Sequence, residues 1–475
     1  MKFLKIILSF LFISSLLIAC AKDENSVIKP IEQELKELTI FHINDQHGSL
    51  DNFSKIKYIV DQEKLETNVM LVCSGDIFSG NPVVDNYEEK GFPMIDVMNK
   101  VGFDISVIGN HEFDYGEAIL KDRFQQSTFD WVCANVEMNS TGIPAPFEYK
   151  TITSNNVKVT FLGLVETNGK DNDVIPSTHP WRVQNLTFTK YQDIIANYSQ
   201  VKAEENSDLY IALTHLGTFS DEYLASNYPY FDAIIGGHSH AVVNDKTNNI
   251  PIFQAGSYLR FLGKIKLTLK NKKIESVNYT LINLDNYNEY DQDLKEVIDT
   301  YNSNANLDEV IGYSEAFHSK AGVGSFYTDI LRQEMKVDLS FQNPGGIRNT
   351  LDEGDILKHE IYSIDPFNNG SVIYTMTVKE IKDFLKGSKS AVHYSGIEIE
   401  QENQYINIYK NNQELSDETT LTIGVNDYIP AIYDTYFTQN PIELPYTTAE
   451  GIINYLNNNS EPINYSQINR YFQYQ

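Results

Sequence analysis

Five short polar segments combine residue types that bind metal ions: Asn44-Asp45-Gln46-His47-Gly48, Ser74-Gly75-Asp76, Gly109-Asn110-His111-Glu112, Thr214-His215 and Gly236-Gly237-His238-Ser239-His240. Carboxylate, imidazole and amide donors without a thiolate suit borderline divalent metals such as Zn, Mn, Fe or Co. Seven ligands are too many for one ion and suit two ions that share a bridging aspartate. Ions roughly 3.5–4 Å apart can hold a hydroxide between them and neutralise a phosphoryl group during in-line displacement. A lone histidine at a strand end is more often a satisfied surface or core imidazole. Here five of the ten histidines (His47, His111, His215, His238 and His240) fall in these segments, a concentration that chance does not give.

Each segment follows a short apolar run. The runs are Leu38–Ile43, Val69–Cys73, Ile105–Ile108, Leu209–Leu213 and Phe231–Ile235, and a sixth covers Val159–Val165. Their lengths and β-branched content favour buried strands over helices. Alternation with helix-like stretches predicts an α/β layered sheet. Ligands bind outside the carboxyl ends of strands in such a sheet, so all five segments are expected on one edge. Gly263–Leu269 and Ile274–Leu281 alternate in polarity and read as an antiparallel pair closing the domain.

A chain of 475 residues with 41% hydrophobic and 12% aromatic content can build two full-size cores. Its net charge of −28 excludes nonspecific binding to a nucleic-acid polymer, which needs a positive field. An anionic substrate must therefore be held by a local cluster of metals or arginines. The expected division is a signal segment at 1–19, a polar tether at 20–36, a first domain at 37–285, a linker helix at 286–309 and a second domain at 310–475. Lys2 and Lys5, the apolar run Ile6–Ile18 and Ala19-Cys20 describe a secretory signal, too short to span a membrane comfortably. Its end resembles a bacterial lipobox, which would lipidate Cys20 and anchor the protein to a membrane in the cell envelope. Cys73 and Cys133 sit in apolar surroundings and read as buried free thiols.

In order and type, the five segments resemble the motifs of the calcineurin-like metallophosphoesterases, and Phe113-Asp114 after the third narrows the likeness to the bacterial 5′-nucleotidase family. That resemblance implies a four-layer α/β/β/α sandwich with a second α/β domain that binds substrate. It also implies two divalent metal ions, the first held by Asp45, His47 and His240. The second would be held by Asn110, His215 and His238, with Asp76 bridging. His111 would stabilise or protonate the leaving oxygen and Asp114 would orient it, since a carboxylate behind an imidazole fixes its tautomer.

In the second domain, Asn343-Pro344-Gly345-Gly346-Ile347-Arg348 resembles the family's glycine-rich segment, with Arg348 as a phosphate clamp. Asn343 and Gly346 belong to the same substrate-binding turn. Phe367 and Tyr428 would clamp a base between them, and Asp434 would accept from a ribose hydroxyl. Two departures stand out: Ile432-Tyr433 replace paired glycines, and an expected phosphate-binding arginine is missing near Phe317–Ser325, where His318 or Lys320 could compensate. The implied activity is hydrolysis of nucleotide phosphate esters outside the cytoplasm. A 2′,3′-cyclic phosphodiesterase, a nucleotide-sugar or thiosulfate-ester hydrolase, and a non-catalytic nucleotide-binding module remain the alternatives.

Overall fold

Apolar β-branched runs such as Val69–Cys73 pair best when both faces are covered, and the chain covers them with helices on one side and a second sheet on the other. The structure, a computed structural model, describes residues 35–171, 173–304 and 307–475. The expected signal segment, Cys20 and nearly all of the tether lie outside the described residues. The first sheet runs in the order Lys273–Asn283, Phe261–Lys270, Lys36–Ile43, Val69–Cys73, Ile105–Val107, Asp130–Val132. Its last four strands are parallel, and the first two form the antiparallel pair read from the sequence. The second sheet runs Val242–Thr247, Ile250–Ala255, Ala233–Ile235, Leu209–His215, Val157–Val165, Tyr149–Ser154. Parallel strands form its centre and antiparallel strands its edges.

One core lies between the sheets, formed by Ile40, Val72, Val107, Val159, Ile211 and their neighbours. Outside the first sheet, helices Phe53–Lys64 and Phe92–Val101 bury Ile56, Val60, Ile95 and Met98. Helix Gln292–Asn304, in the segment read as a linker, packs Leu294 and Ile298 into that same outer core. Outside the second sheet, Leu224 and Ala225 of helix Thr218–Asn227 close the fourth layer. These layers make the α/β/β/α sandwich. A third six-stranded sheet follows, in the order Ile442–Thr447, Gly370–Thr377, Thr420–Asn426, Leu339–Gln342, Val392–Ser395, Tyr471–Phe472, with a core on each face. Its helices start where the sequence caps them: Thr377 with Glu380, and Thr447 with Glu450, each form a reciprocal capping box.

His42 is the odd member of the inter-sheet core. It is fully buried, neither ring nitrogen has a hydrogen-bond partner among the described residues, and it stacks on Tyr279 at 5.8 Å. Burial pushes its pKa down to about 3. Between pH 6.5 and 3 the unfolded chain therefore takes up a proton that the folded chain refuses, so stability falls as pH drops. His42→Leu should raise stability by about 1–3 kcal/mol at pH 7, because two stranded polar atoms disappear. At pH 4.5 the gain should grow by about 3 kcal/mol. Urea midpoints at the two pH values check this, and an equal gain at both would contradict it.

Candidate metal centre and substrate cleft

The strands ending at Ile43, Cys73, Val107, His215 and Ile235 deliver their following loops to one edge, where the expected ligands converge. Five of them leave the ordinary backbone region: Asp45, His47, Asp76, His238 and His240 have φ of 54°, 49°, 55°, 78° and 54°. Left-handed backbone costs a non-glycine residue roughly 1–2 kcal/mol, and aspartate and histidine tolerate it better than most. Strain of this kind persists where the surrounding structure over-determines it. Close packing does so here. A Cβ on Gly75 would lie 2.7 Å from the Gly109 nitrogen and 2.9 Å from His215 Nδ1, and one on Gly109 would lie 2.4 Å from Asp76 Oδ1.

Glu112, which the sequence offered only as a motif member, braces these loops. Its buried carboxylate accepts the backbone N–H groups of Gly109, Asp76 and Ile77 at 2.5, 3.0 and 2.6 Å. Burial, helped by the Asp76 charge, pushes its pKa up to about 7. Asn44 does a similar job between the sheets, donating to Asp45 Oδ2 and to the Gly256 carbonyl, each at 2.6 Å.

The imidazoles are turned so that one nitrogen of each key ring faces inward. His47 Nδ1 donates to the Ser79 carbonyl at 3.0 Å, which puts the neutral ring's lone pair on Nε2. His215 Nδ1 donates to the Ser74 carbonyl at 2.6 Å, so its Nε2 faces Asp76 Oδ2 at 3.0 Å and Asn110 Oδ1 at 3.2 Å. Asn110 is oriented by donating to the Ser177 carbonyl at 3.0 Å, and its Oδ1 also meets His238 Nδ1 at 3.0 Å. Asp45 accepts the His238 N–H. Three donor groups could each hold a cation: Asp45, His47 and His240; His47, Asp76 and His111; Asp76, His215 and His238. Within each, the ligand atoms lie within 4.8 Å of one another.

The donor set fits a divalent cation. His47 Nε2 and His240 Nε2 lie 2.9 Å apart, yet burial foremost keeps both rings neutral, lowering His240 to about 4 and His47 well below its ordinary value. Neutral imidazoles offer the lone pairs that a metal needs. Burial would likewise neutralise His215, but the Asp76 charge and hydrogen bond outweigh it and hold its pKa up near 10. Asp76 is held well below the usual carboxylate range by His215 and His111 despite its burial.

His111 stands beside this cluster. Its Nδ1 meets Asp114 Oδ2 at 2.6 Å, Asp114 Oδ1 accepts from Thr178 Oγ1 at 2.8 Å, and His111 Nε2 lies 3.9 Å from Asp76 Oδ2. Burial opposes the charged ring, but Asp114 and then Asp76 outweigh it and raise the His111 pKa to about 9. The arrangement therefore favours the charged, proton-bearing form of the ring.

A cleft of about 460 Å³ opens over these residues and is lined by both parts of the chain. Asn343, Arg348, Phe367 and Tyr428 line it opposite Asp76, Asn110, His111, His238 and His240. Among the described residues no carboxylate or carbonyl pairs with the Arg348 guanidinium; its carbon sits 5.6 Å from the centroid of Phe367. Phe367 stacks on His111 at 5.9 Å and 18°. Gly346 does not reach the cleft, where Gly345 takes its place; it is tucked behind, donating to the Asn343 carbonyl at 3.0 Å.

Asp434 also departs from expectation. It lies outside this cleft and pairs with Lys170 at 2.9 Å. The reason is local: Tyr433 and Tyr436 pack against Phe384 in the third sheet's core and carry the intervening residues away. Of the two residues considered for the missing arginine, His318 is committed, accepting from the Tyr465 N–H at 2.6 Å and meeting Ser314 Oγ at 3.1 Å. Lys320 remains, and burial together with the nearby Arg348 charge lowers its pKa. Sequence reading missed Thr178, His179, Arg182 and Asn369, which also line the cleft.

Two family models match the chain: calcineurin-like phosphoesterase over residues 38–242, and 5′-nucleotidase, C-terminal domain, over residues 304–438. Residues 38–242 thus carry a calcineurin-like phosphoesterase region and residues 304–438 a 5′-nucleotidase C-terminal region, a pairing that supports a metal-dependent phosphoester hydrolase. It is 27% identical over 429 residues to the trifunctional nucleotide phosphoesterase protein YfkN of Bacillus subtilis, covering 79% of this chain and 29% of that protein. It is 24% identical to endonuclease YhcR of the same organism, covering 41% of it, so the match spans less than half of these two relatives. A 5′-nucleotidase of Vibrio parahaemolyticus is 23% identical, with 89% of this chain and 90% of that protein covered. Among solved structures, the 5′-nucleotidase precursor of Thermus thermophilus shares the fold, with a TM-score of 0.77, 20% identity and coverage of 89% and 96%.

Proposed function

We propose that this chain hydrolyses phosphate esters of nucleotides, using two divalent cations that share Asp76. One would be held with Asp45, His47 and His240, the other with Asn110, His215 and His238. Residues 37–285 then carry the metals and residues 310–475 the substrate contacts. The observation that supports this most is the meeting, in one cleft, of the donor cluster, the His111–Asp114 pair and the unpaired guanidinium of Arg348. Bound cations would neutralise the phosphoryl group and acidify the attacking water.

The protein's own residues do the rest. Arg348 offers a planar fork to two phosphate oxygens. As the water oxygen bonds to phosphorus, the bond to the ester oxygen breaks, and that oxygen takes its proton from His111 Nε2. Asp114 holds the charged imidazole in orientation. Phe367 and Tyr428 offer aromatic faces for a base, worth about 1–3 kcal/mol per stacked base. Asp434 lies outside the cleft, which favours keeping nucleotide sugars and 2′,3′-cyclic nucleotides as candidate substrates. The basic and apolar pattern of residues 1–20 supports export and a lipid on Cys20. Among the described residues no helix is long and apolar enough to cross a membrane.

The test is direct. The purified full chain, supplied in turn with Mn²⁺, Zn²⁺, Co²⁺ and Fe²⁺, should hydrolyse p-nitrophenyl phosphate and lose that activity on chelation. Absence of turnover with all four ions, or turnover indifferent to chelation, sinks the reading. AMP, UDP-glucose and 2′,3′-cyclic AMP then rank the substrates.

A further inference from the structure

We infer that Arg182 is a positioning residue that sets the His111–Asp114 pair by tying it to the Phe367 loop; the inference rests on the hydrolysis proposed above. Arg182 ends a short 3₁₀ turn, Pro180–Arg182, in the long irregular loop between Val165 and Thr187. Its Nη1 donates to the backbone carbonyl of Asp114. Its Nη2 donates to the carbonyls of Phe367 at 2.9 Å and Asn368 at 3.3 Å. Among the described residues it makes no ion pair, so it serves as a three-carbonyl clamp.

The clamp closes a ring. Asp114 holds His111 Nδ1 at 2.6 Å, the His111 imidazole stacks on Phe367 at 5.9 Å, and the Phe367 carbonyl returns to Arg182. Backbone on one side and ring stacking on the other therefore fix the tilt of the imidazole. Arg182 lines the cleft, but its hydrogen bonds end on the backbone carbonyls of Asp114, Phe367 and Asn368 and none reaches the donor cluster. With its donors committed to those carbonyls, its contribution passes through the His111–Asp114 pair, and so through proton delivery to the leaving oxygen. A guanidinium can bridge two backbone segments because its donors are rigidly forked; a lysine ammonium is a single point on a flexible stem.

Leaving groups separate this role from general support of the fold. A dinitrophenolate departs without a proton, whereas phenolate needs one. With the metal-loaded full chain, Arg182→Ala should lower kcat on phenyl phosphate by about tenfold to 100-fold, the cost of a misplaced catalytic group. On 2,4-dinitrophenyl phosphate the same variant should lose less than about twofold, with KM unchanged on both. Arg182→Lys should behave like Arg182→Ala. In a His111→Ala background, Arg182→Ala should cost nothing further. Equal losses on both esters, rescue by lysine, or additive losses in the His111→Ala background would each overturn the proposal while leaving hydrolysis intact. A wild-type chain inactive on both esters would overturn the hydrolase reading instead, and this one with it.

Discussion

Asp76→Asn should lower turnover by about 10³-fold or more and strip most of the bound metal, measured as kcat beside metal content after gel filtration. Asp76 Oδ2 lies 3.0 Å from His215 Nε2, 3.9 Å from His111 Nε2 and 4.0 Å from His47 Nε2. Among the described residues no other carboxylate belongs to two of the three donor groups. Asparagine keeps the shape and can still accept the His111 backbone N–H that Oδ1 now takes at 2.9 Å. What it removes is the charge. Cation stabilisation of the transition state is worth several kcal/mol, and each 1.36 kcal/mol is a factor of ten, which gives the expected size. Activity within tenfold of wild type would mean that Asp76 does not join the two cations.

His111→Ala should lower kcat by about 10²–10⁴-fold on esters with poor leaving groups. Metal content and KM should stay at wild-type values. Metal content matters because His111 also stands in a donor group with His47 and Asp76. A variant that loses metal would mark the ring as a ligand. The pH profile carries the second half of the argument. Against burial, the Asp114 charge and the more distant Asp76 favour the acid form, so kcat should fall on the alkaline side as His111 loses its proton. Asp114→Asn removes the nearer of those charges, and its alkaline limb should move to lower pH. A limb that stays in place would show that another group sets it.

The centre was legible because strand ends are legible. Val69–Cys73 and Leu209–His215 are apolar runs with a polar break, and a layered sheet leaves the break only one edge to occupy. Antiparallel edge strands such as Tyr149–Ser154 and Val242–Thr247 escaped notice because they are half-exposed and carry no unbroken apolar run. Glu112 could be read as part of a motif, but its bracing role exists only once three amides from two loops meet it. Arg182, Thr178 and His179 gave no signal: they lie in an irregular loop, and Arg182 meets Phe367 across 185 positions of sequence. Asp434 failed for the opposite reason. Resemblance put it beside the substrate, while the tyrosines flanking it in this chain are committed to a core.

Backbone strain at the five ligands sets this protein's durability against its chemistry. Glycine would relax the left-handed backbone at Asp45 or His240 by about 1 kcal/mol each, but it would give up the hydrogen bonds that Asp45 accepts and the ring contacts of His240 with His47 and Tyr258. Glycine would free these loops of backbone strain but supply no donor atom, so robustness and the proposed chemistry pull in opposite directions at the same five candidate positions.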